Sequence, residues 1–232
     1  MKTIGLLGGM SWESTLSYYR LLNEGVKAKL GGFHSARICL VSVDFAEIEA
    51  FQCNDDWERA GQALAAAARQ VEAGGAHALV IATNTMHRVA DDIAAAIDIP
   101  LLHIADATGE ALRNDGVRRV GLLGTRFTME QAFYRQRLEE RFGIEVVVPD
   151  EARRASVHEI IFNELVQGEI NPASRAHFLT IIDALAAQGA EAVILGCTEI
   201  AMLVQQQHTA TPLYDTTALH VDAALAFALY DG

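Results

Sequence analysis

The chain has 232 residues, a formal net charge of −12 and 51% hydrophobic residues, a composition typical of α/β proteins and too apolar for disorder. So acidic a chain is a poor partner for nucleic acid or an anionic membrane surface. It has no apolar run of the roughly 18 residues that a membrane span needs and no signal-peptide core, so we expect a cytoplasmic protein.

Strand and helix patterns alternate along the whole chain. Short apolar runs predict strands at 3–8, 36–43, 78–83, 101–104, 119–124, 144–148, 191–196 and 212–214. Helical periodicity predicts helices at 12–30, 57–74, 86–97, 106–115, 128–142, 151–167, 173–188, 199–207 and 217–230. Because the strands are continuously apolar, they are expected to be buried on both faces, as in parallel sheets covered by helices. The predicted fold class is therefore α/β with open parallel sheets.

Several element ends carry recognisable signals. The Asn171–Pro172 pair predicts a helix start, and Thr128 with Gln131 fits a capping box. Gly75 and Gly189 stand where a helix must end before the next strand.

The chain repeats itself once. "TIGLLGG" returns as "RVGLLGT", "EAGGAHALVIATNT" as "AAQGAEAVILGCTE", and "IPLLHIADAT", more weakly, as "TPLYDTTALH". The offset is 116 residues from Gly5 to Gly121 and 114 from Thr83 to Cys197. Offsets so similar indicate duplication of one half. We predict two related domains, residues 1–104 plus 215–232 and residues 105–214.

Polar residues gather where the predicted strands end. Parallel α/β sheets bind ligands beyond the carboxyl ends of their strands, so these residues form the predicted ligand-binding edges. They are Gly8–Ser11, Asp44, Thr83–Thr85, Gly124–Thr125 and Cys197–Glu199.

Common cofactor chemistries find no support in the motifs. "GLLGGM" lacks the G-x-G-x-x-G spacing of dinucleotide sites, and its glycines fit a tight turn or the approach of a carboxylate equally well. The lysines, at 2, 27 and 29, are poorly placed for a pyridoxal phosphate Schiff base. The histidines and cysteines lack metal-site spacing. We therefore expect neither cofactor nor metal. His87 fits a polar helix-start residue or a ligand contact.

The three cysteines have different settings. Cys39 lies in an apolar strand and is expected in the core, and Cys53 lies in a polar loop. Cys197 ends a strand before a predicted helix, whose N-terminus would lower the pKa of the thiol. From position alone, a structural role is equally open. The repeat, however, makes Cys197 equivalent to Thr83, and two proton-handling groups on opposite sides of one carbon could invert a stereocentre.

"GLLGGMSWEST", "IATNTMH" and "LGCTEI" together resemble the aspartate/glutamate racemase superfamily, including its broad-specificity amino-acid racemases. The resemblance spans essentially the whole chain. It implies two pseudo-symmetric Rossmann-like domains, an active site in the interdomain cleft, a C-terminal helix packed on the first domain and a homodimer. It also implies an amino-acid substrate and catalysis without pyridoxal phosphate. The family usually has a cysteine in each half, so Thr83 is a departure.

The resemblance also implies roles for individual residues. Cys197 thiolate would take the α-proton of the L-isomer, with Thr83 on the opposite face, and conversion from the D side should be weak because an alcohol is a far weaker acid than a thiol. Glu199 would pair with the amino group or orient Cys197. Gln52 would replace the arginine expected to bind a side-chain carboxylate, which admits polar substrates such as homoserine. The remaining predicted substrate contacts are Asn84, Thr85, Thr198 and the backbone at Met10 and Thr125.

Two other interpretations stay open at this point. The first is a related enzyme such as a hydantoin racemase, a maleate isomerase or a one-cysteine decarboxylase. The second is a small-ligand binding protein with two α/β lobes.

Overall fold

The structure is a computed structural model that describes residues 1–230. Its strands are β1 (Ile4–Gly8), β2 (Ile38–Ser42), β3 (Ala78–Ile81), β4 (Leu101–Leu102), β5 (Arg119–Gly124), β6 (Glu145–Val147), β7 (Ala192–Gly196) and β8 (Leu213–Asp215). The first six helices are α1 (Trp12–Leu30), α2 (Phe45–Cys53), α3 (Trp57–Ala73), α4 (Ala90–Ala94), α5 (Ile104–Asn114) and α6 (Arg126–Glu130). The others are α7 (Ala132–Phe142), α8 (Glu151–Asn163), α9 (Pro172–Ala187), α10 (Ile200–Leu203) and α11 (Thr216–Tyr230). Short 3₁₀ turns occupy Thr85–Val89, Leu165–Gln167 and Gln206–His208.

The strands form two four-stranded sheets whose pairings are all parallel. Their orders are β2-β1-β3-β4 and β6-β5-β7-β8, so the second sheet repeats the topology of the first. The predicted α/β class with parallel sheets is confirmed. Among the helices of residues 1–230, none has the length and apolar character needed to cross a bilayer.

The described chain divides into two compact units. One contains Met1–Ile104 and the chain from His220 onward, and the other contains Ala105–Leu219. In the first unit, the last helix, α11, packs on α1 and β1 through Val221, Ala224, Leu225 and Ala228. The core of the second unit joins β5 and β7 to α8 and α9, with Phe178, Ile181 and Leu185 buried in its centre.

The apolar runs predict the strands well, but not the burial of every strand. Every residue of β1, β3 and β7 is buried, as continuous apolar sequence predicts. β2 is different, because it lies at the edge of its sheet: Leu40 is 43% exposed and Cys39 is half-buried. The prediction that Cys39 belongs to the core is therefore wrong.

Several predicted helices are shorter or broken in the structure. The predicted helix at 128–142 divides into α6 and α7 because Gln131 has extended backbone angles. Residues 86–97 form a 3₁₀ turn and α4, and residues 199–207 form the one-turn α10 and a second 3₁₀ turn. The sequence pattern does not predict α2. Cys53 is the last residue of this helix, so its predicted place in a loop is wrong.

The predicted helix ends are partly confirmed. Asn171 accepts a hydrogen bond from Ala173 N as the N-cap of α9. Gly75 and Gly189, just beyond α3 and α9, have φ of 87° and 93°, which glycine adopts without steric cost. The capping box at Thr128 is wrong, because that residue lies inside α6.

A buried histidine connects three elements of the first unit. His220 in α11 donates from Nε2 to the carbonyl oxygen of Leu102 in β4 at 2.7 Å. Its Nδ1 then accepts from the hydroxyl of Tyr18 in α1 at 2.9 Å. Burial lowers the pKa of His220 to about 4, so the imidazole is neutral when the protein is folded.

This histidine should make folding stability depend on pH. The pKa of His220 is about 4 when folded against 6.5 when exposed, so between these values the unfolded chain binds more protons and acid favours unfolding. His220 alone should remove about 2 kcal/mol of unfolding free energy between about pH 7 and about pH 5. His220→Gln keeps a donor for Leu102 but does not titrate, so urea unfolding at the two pH values should show that much less acid sensitivity. An unchanged pH dependence would contradict the assignment.

Candidate active site

In the first unit, the predicted site residues follow β3. The chain turns sharply at Thr83, whose N–H donates to the carbonyl oxygen of Ile81 at 2.9 Å. Thr83 is half-buried, whereas Asn84 and Thr85 are buried. β1 runs parallel to β3 and ends beside it at Gly8, so the predicted sites at Met10 and Thr83–Thr85 share one edge of the sheet.

The glycine turn after β1 is packed against the first turn of α1. Gly9 has a φ of 92°, and its N–H donates to the Thr15 hydroxyl at 2.8 Å. A Cβ on Gly8 would lie 2.5 Å from the Thr15 side chain. The glycines therefore permit the tight turn from β1 to α1. The Gly9 amide donates its hydrogen bond to a side chain of the protein itself. Thr15 is a contact that sequence reasoning missed, although its place four residues after Ser11 on a helix was visible.

Gln52 lies close to the same edge. It is buried in the last turn of α2, and its Nε2 lies 2.9 Å from the sulfur of Met86. Met86 belongs to the 3₁₀ turn that begins at Thr85. The helix that carries Gln52 starts at Asp44, whose carboxylate caps it by accepting from Ala46 N. The structure therefore brings Gln52 to the segment containing the predicted sites at 83–85.

In the second unit, the equivalent edge is formed where β5 and β7 end. Gly124 and Gly196 pair in register, and a Cβ on Gly124 would lie 2.9 Å from the carbonyl oxygen of Gly196. The close approach of the two strands therefore requires glycine at this point. Thr125 follows β5 and caps α6 through its hydroxyl, while Cys197 follows β7.

Cys197 is hydrogen-bonded to a buried carboxylate. Its Sγ lies 2.9 Å from Glu199 Oε2, and the Thr198 hydroxyl donates to the same oxygen at 2.5 Å. Glu199 is 4% exposed and Cys197 is 9% exposed. One buried oxygen of Glu199 thus accepts from both the Cys197 thiol and the Thr198 hydroxyl.

The predicted lowering of the Cys197 pKa is wrong. Burial, and after it the negative charge and hydrogen bond of Glu199, raise the pKa of the thiol well above its ordinary value. The amides of Glu199 and Ile200 oppose the shift with a smaller effect. The expected helix N-terminus is a single turn, α10, so its dipole is too short to outweigh burial and a neighbouring carboxylate.

A thiol in this setting is suited to proton transfer. Its proton already points at a carboxylate that can accept it, and the thiolate left behind is a stronger base because the pKa of its conjugate acid is high. Within residues 1–230, His, Cys, Asp and Glu side chains do not form groups of three or more that could hold a metal ion.

The family profile and the similar proteins all indicate the same family. The sequence profile of the Asp/Glu/hydantoin racemases matches residues 7–224. A crystal structure of a Yersinia pestis protein proposed to be an Asp/Glu racemase is 54% identical, covers 99% of this chain and 100% of its own, and has a TM-score of 0.93. An aspartate racemase homologue from Pyrococcus horikoshii OT3 is 34% identical over 98% of this chain and 99% of its own, with a TM-score of 0.86. The broad specificity amino-acid racemase RacX of Bacillus subtilis is 23% identical over 93% of each chain.

The effect of Glu199 on the thiol can be measured by alkylation. In Glu199→Gln the carboxylate charge is gone but burial remains, so the pKa of Cys197 should fall and iodoacetamide should modify it at lower pH than in the wild type. Site-resolved mass spectrometry separates Cys197 from Cys39 and Cys53. Glu191→Gln removes an exposed carboxylate of the same unit and should leave the midpoint unchanged. A midpoint that does not move in Glu199→Gln would exclude the carboxylate as a cause.

Proposed function

Because the chain belongs to the Asp/Glu/hydantoin racemase family, we propose that it is a cofactor-independent amino-acid racemase in which Cys197 and Thr83 act on opposite faces of one α-carbon. One observation carries the proposal: Cys197 and Thr83 follow the equivalent third strands, β7 and β3, of two sheets with the same topology.

In the proposed reaction, the L-isomer is deprotonated by Cys197. The thiol first gives its proton to Glu199, the carboxylate it touches. The thiolate then takes the α-proton, so that the Cα–H bond breaks, an S–H bond forms and the electron pair stays on the substrate as a carbanion delocalised into its carboxylate. The contact between Glu199 and Cys197 favours, for Glu199, the role of orienting the thiol over pairing with the substrate amino group.

The opposite face is proposed to be reprotonated at Thr83. An alcohol is a far weaker acid than a thiol, so Thr83 would give its hydroxyl proton to the carbanion and take one from water. The proton held by Glu199 then returns to the solvent and neutralises the hydroxide, which restores the carboxylate. Proton delivery is then the slower half of the reaction. Donors that hold the substrate carboxylate stabilise the negative charge that develops there. We assign that role to Asn84, Thr85, Thr198 and the backbone at Met10 and Thr125.

The substrate class is proposed to be aspartate, glutamate or other polar amino acids. Residues 42–54 contain no arginine or lysine, and the buried Gln52 has its Nε2 2.9 Å from the sulfur of Met86, the residue after Thr85. A neutral amide holds a carboxylate less firmly than a guanidinium does, which favours a broad range of side chains. RacX of Bacillus subtilis, a relative of this chain, is described as a broad specificity amino-acid racemase, which supports a broad substrate range.

The proposed reaction predicts different effects for three cysteine variants. Cys197→Ser should lower racemisation about 10²–10⁴-fold, because it removes the base. Thr83→Cys should raise it at least ~10-fold, because a thiol replaces a weak acid. Cys53→Ser, at an exposed position, should change nothing. Circular dichroism of L- and D-aspartate, L- and D-glutamate and L- and D-homoserine would follow the reaction.

This assay, together with assays on diacids and direct binding measurements, separates the alternatives. Mirror-image amino acids have equal free energy, so kcat/KM must be the same from both enantiomers of any racemase. The expected weakness of conversion from the D side therefore cannot appear in kcat/KM and has to be sought in kcat and KM taken separately. Loss of carbon dioxide or isomerisation of an unsaturated diacid would establish a related enzyme instead. Binding without turnover would establish a binding protein. Full activity in Cys197→Ser would refute the assignment of the base.

We also propose that the protein is a cytoplasmic homodimer. Trp12, Leu16 and Tyr19 form an apolar stripe on α1, 50–65% exposed, which is the kind of surface that subunit interfaces cover. The described cysteines are free thiols, as is usual in a reducing compartment.

A charge in this stripe should weaken the dimer. Leu16→Glu would place a carboxylate in the covered surface and should produce monomers by sedimentation velocity at low micromolar concentration. Ile170→Glu, at an exposed apolar position of the other unit, should leave the sedimentation coefficient unchanged. A wild-type monomer would contradict the homodimer, and a Leu16→Glu dimer would place its interface elsewhere.

A further inference from the structure

Three buried histidines gather behind the turn that carries Thr83. His87 follows that turn, His103 follows β4 and His220 lies in α11, so they come from three separate segments. Their rings are close, with centroids 4.5 Å apart for His87 and His103 and 5.7 Å apart for His87 and His220. All three are less than 9% exposed. Of the three, His87 touches the backbone of Thr83 directly.

The hydrogen bonds of His87 fix its tautomer. Its Nδ1 lies 2.8 Å from the carbonyl oxygen of Thr83, which can only accept, so Nδ1 carries the proton. Its Nε2 lies 3.2 Å from the backbone N–H of Ile104, which can only donate, so Nε2 presents a lone pair. The imidazole is therefore neutral and bonded at both ends to backbone.

The Ile104 amide explains why a histidine suits this position. Ile104 is the first residue of α5, and the N–H groups of a first helical turn have no partner within the helix. His87 thus satisfies one orphan donor of α5 with one nitrogen and holds the Thr83 carbonyl with the other. Its ring therefore ties the turn after β3 to Ile104, where the first unit ends and α5 begins.

We infer that His87 is a positioning residue for proton delivery: it fixes the backbone of Thr83, and so the origin of the Thr83 side chain, relative to Ile104 of the same unit. The inference depends on the proposed racemase function, in which Thr83 serves the face of the substrate opposite Cys197. Misplacement of a reacting group by about 1 Å can cost roughly 10²-fold in rate, so one backbone bond at this point has a large effect. Cys197 belongs to the other unit and makes none of these contacts, so its half of the reaction should not depend on His87.

Two isosteric variants separate positioning from general structure. In His87→Asn the amide nitrogen can occupy the place of Nδ1 and keep the bond to Thr83. In His87→Gln the amide reaches the place of Nε2 and can serve Ile104, but the bond to Thr83 is lost. His77→Gln, at an exposed histidine of the same unit, is the matched control.

The variants are compared by two measurements on L-aspartate in deuterium oxide, the rate of α-proton exchange and the rate of inversion. Exchange of the α-proton with retention reports the Cys197 face, and inversion also requires the Thr83 face. We expect His87→Gln to lower inversion at least ~10-fold while exchange stays within about two-fold, and His87→Asn to keep inversion within about three-fold of wild type. Unfolding in urea checks that the variants remain folded.

Three results would contradict different parts of the proposal. If His87→Gln lowers exchange and inversion equally, or leaves inversion unchanged, the positioning role is wrong while the racemase function stands. If His87→Asn loses inversion as completely as His87→Gln does, the bond to the Thr83 carbonyl is not what matters. If the wild-type protein neither exchanges nor inverts any of the tested amino acids, the proposed function itself fails.

Discussion

The contact between the Cys197 thiol and the Glu199 carboxylate, 2.9 Å apart and both buried, is the interaction on which the proposed chemistry depends. A buried cysteine without a partner behaves as a small hydrophobic residue with a weakly acidic thiol. A carboxylate beside it stabilises the thiol form and supplies a place for the proton to go. Both effects have the same consequence: the thiolate, when it forms, is a strong base held at the end of a rigid strand.

The duplicated sheet topology gives the proposed base, Cys197, an equivalent position in the other sheet. β3 and β7 occupy the same place in their sheets, and the residues that follow them are Thr83 and Cys197. Glycines at 124 and 196 allow β5 and β7 to approach closely where the cysteine begins its turn, and the turn at Thr83 is held by His87. The two positions are equivalent in topology but differ in acidity, because one carries a thiol and the other an alcohol. A racemase built from them would have one fast and one slow face.

Sequence patterns alone predict the parallel sheets and the polar residues at the strand ends, because continuous apolar runs and strand-end residues are local properties of the chain. The equivalence of Thr83 and Cys197 follows from their offset of 114 residues. Side-chain contacts escape such reasoning. The raised pKa of Cys197 depends on burial and on which way Glu199 points, and the helix at Phe45–Cys53 lacks a strong periodic pattern. His87 was recognisable as unusual, but its bond to Ile104 joins residues 17 positions apart.

The most direct test of the central claim is a crystal structure of Cys197→Ser with L-aspartate bound, since this variant should hold the substrate without turning it over. We predict that the α-carbon lies between the side chains at positions 197 and 83, about 3.5 Å from each, with its hydrogen directed toward position 197. An amino acid bound with both side chains on the same side of the α-carbon, or bound away from either of them, would contradict the two-faced mechanism.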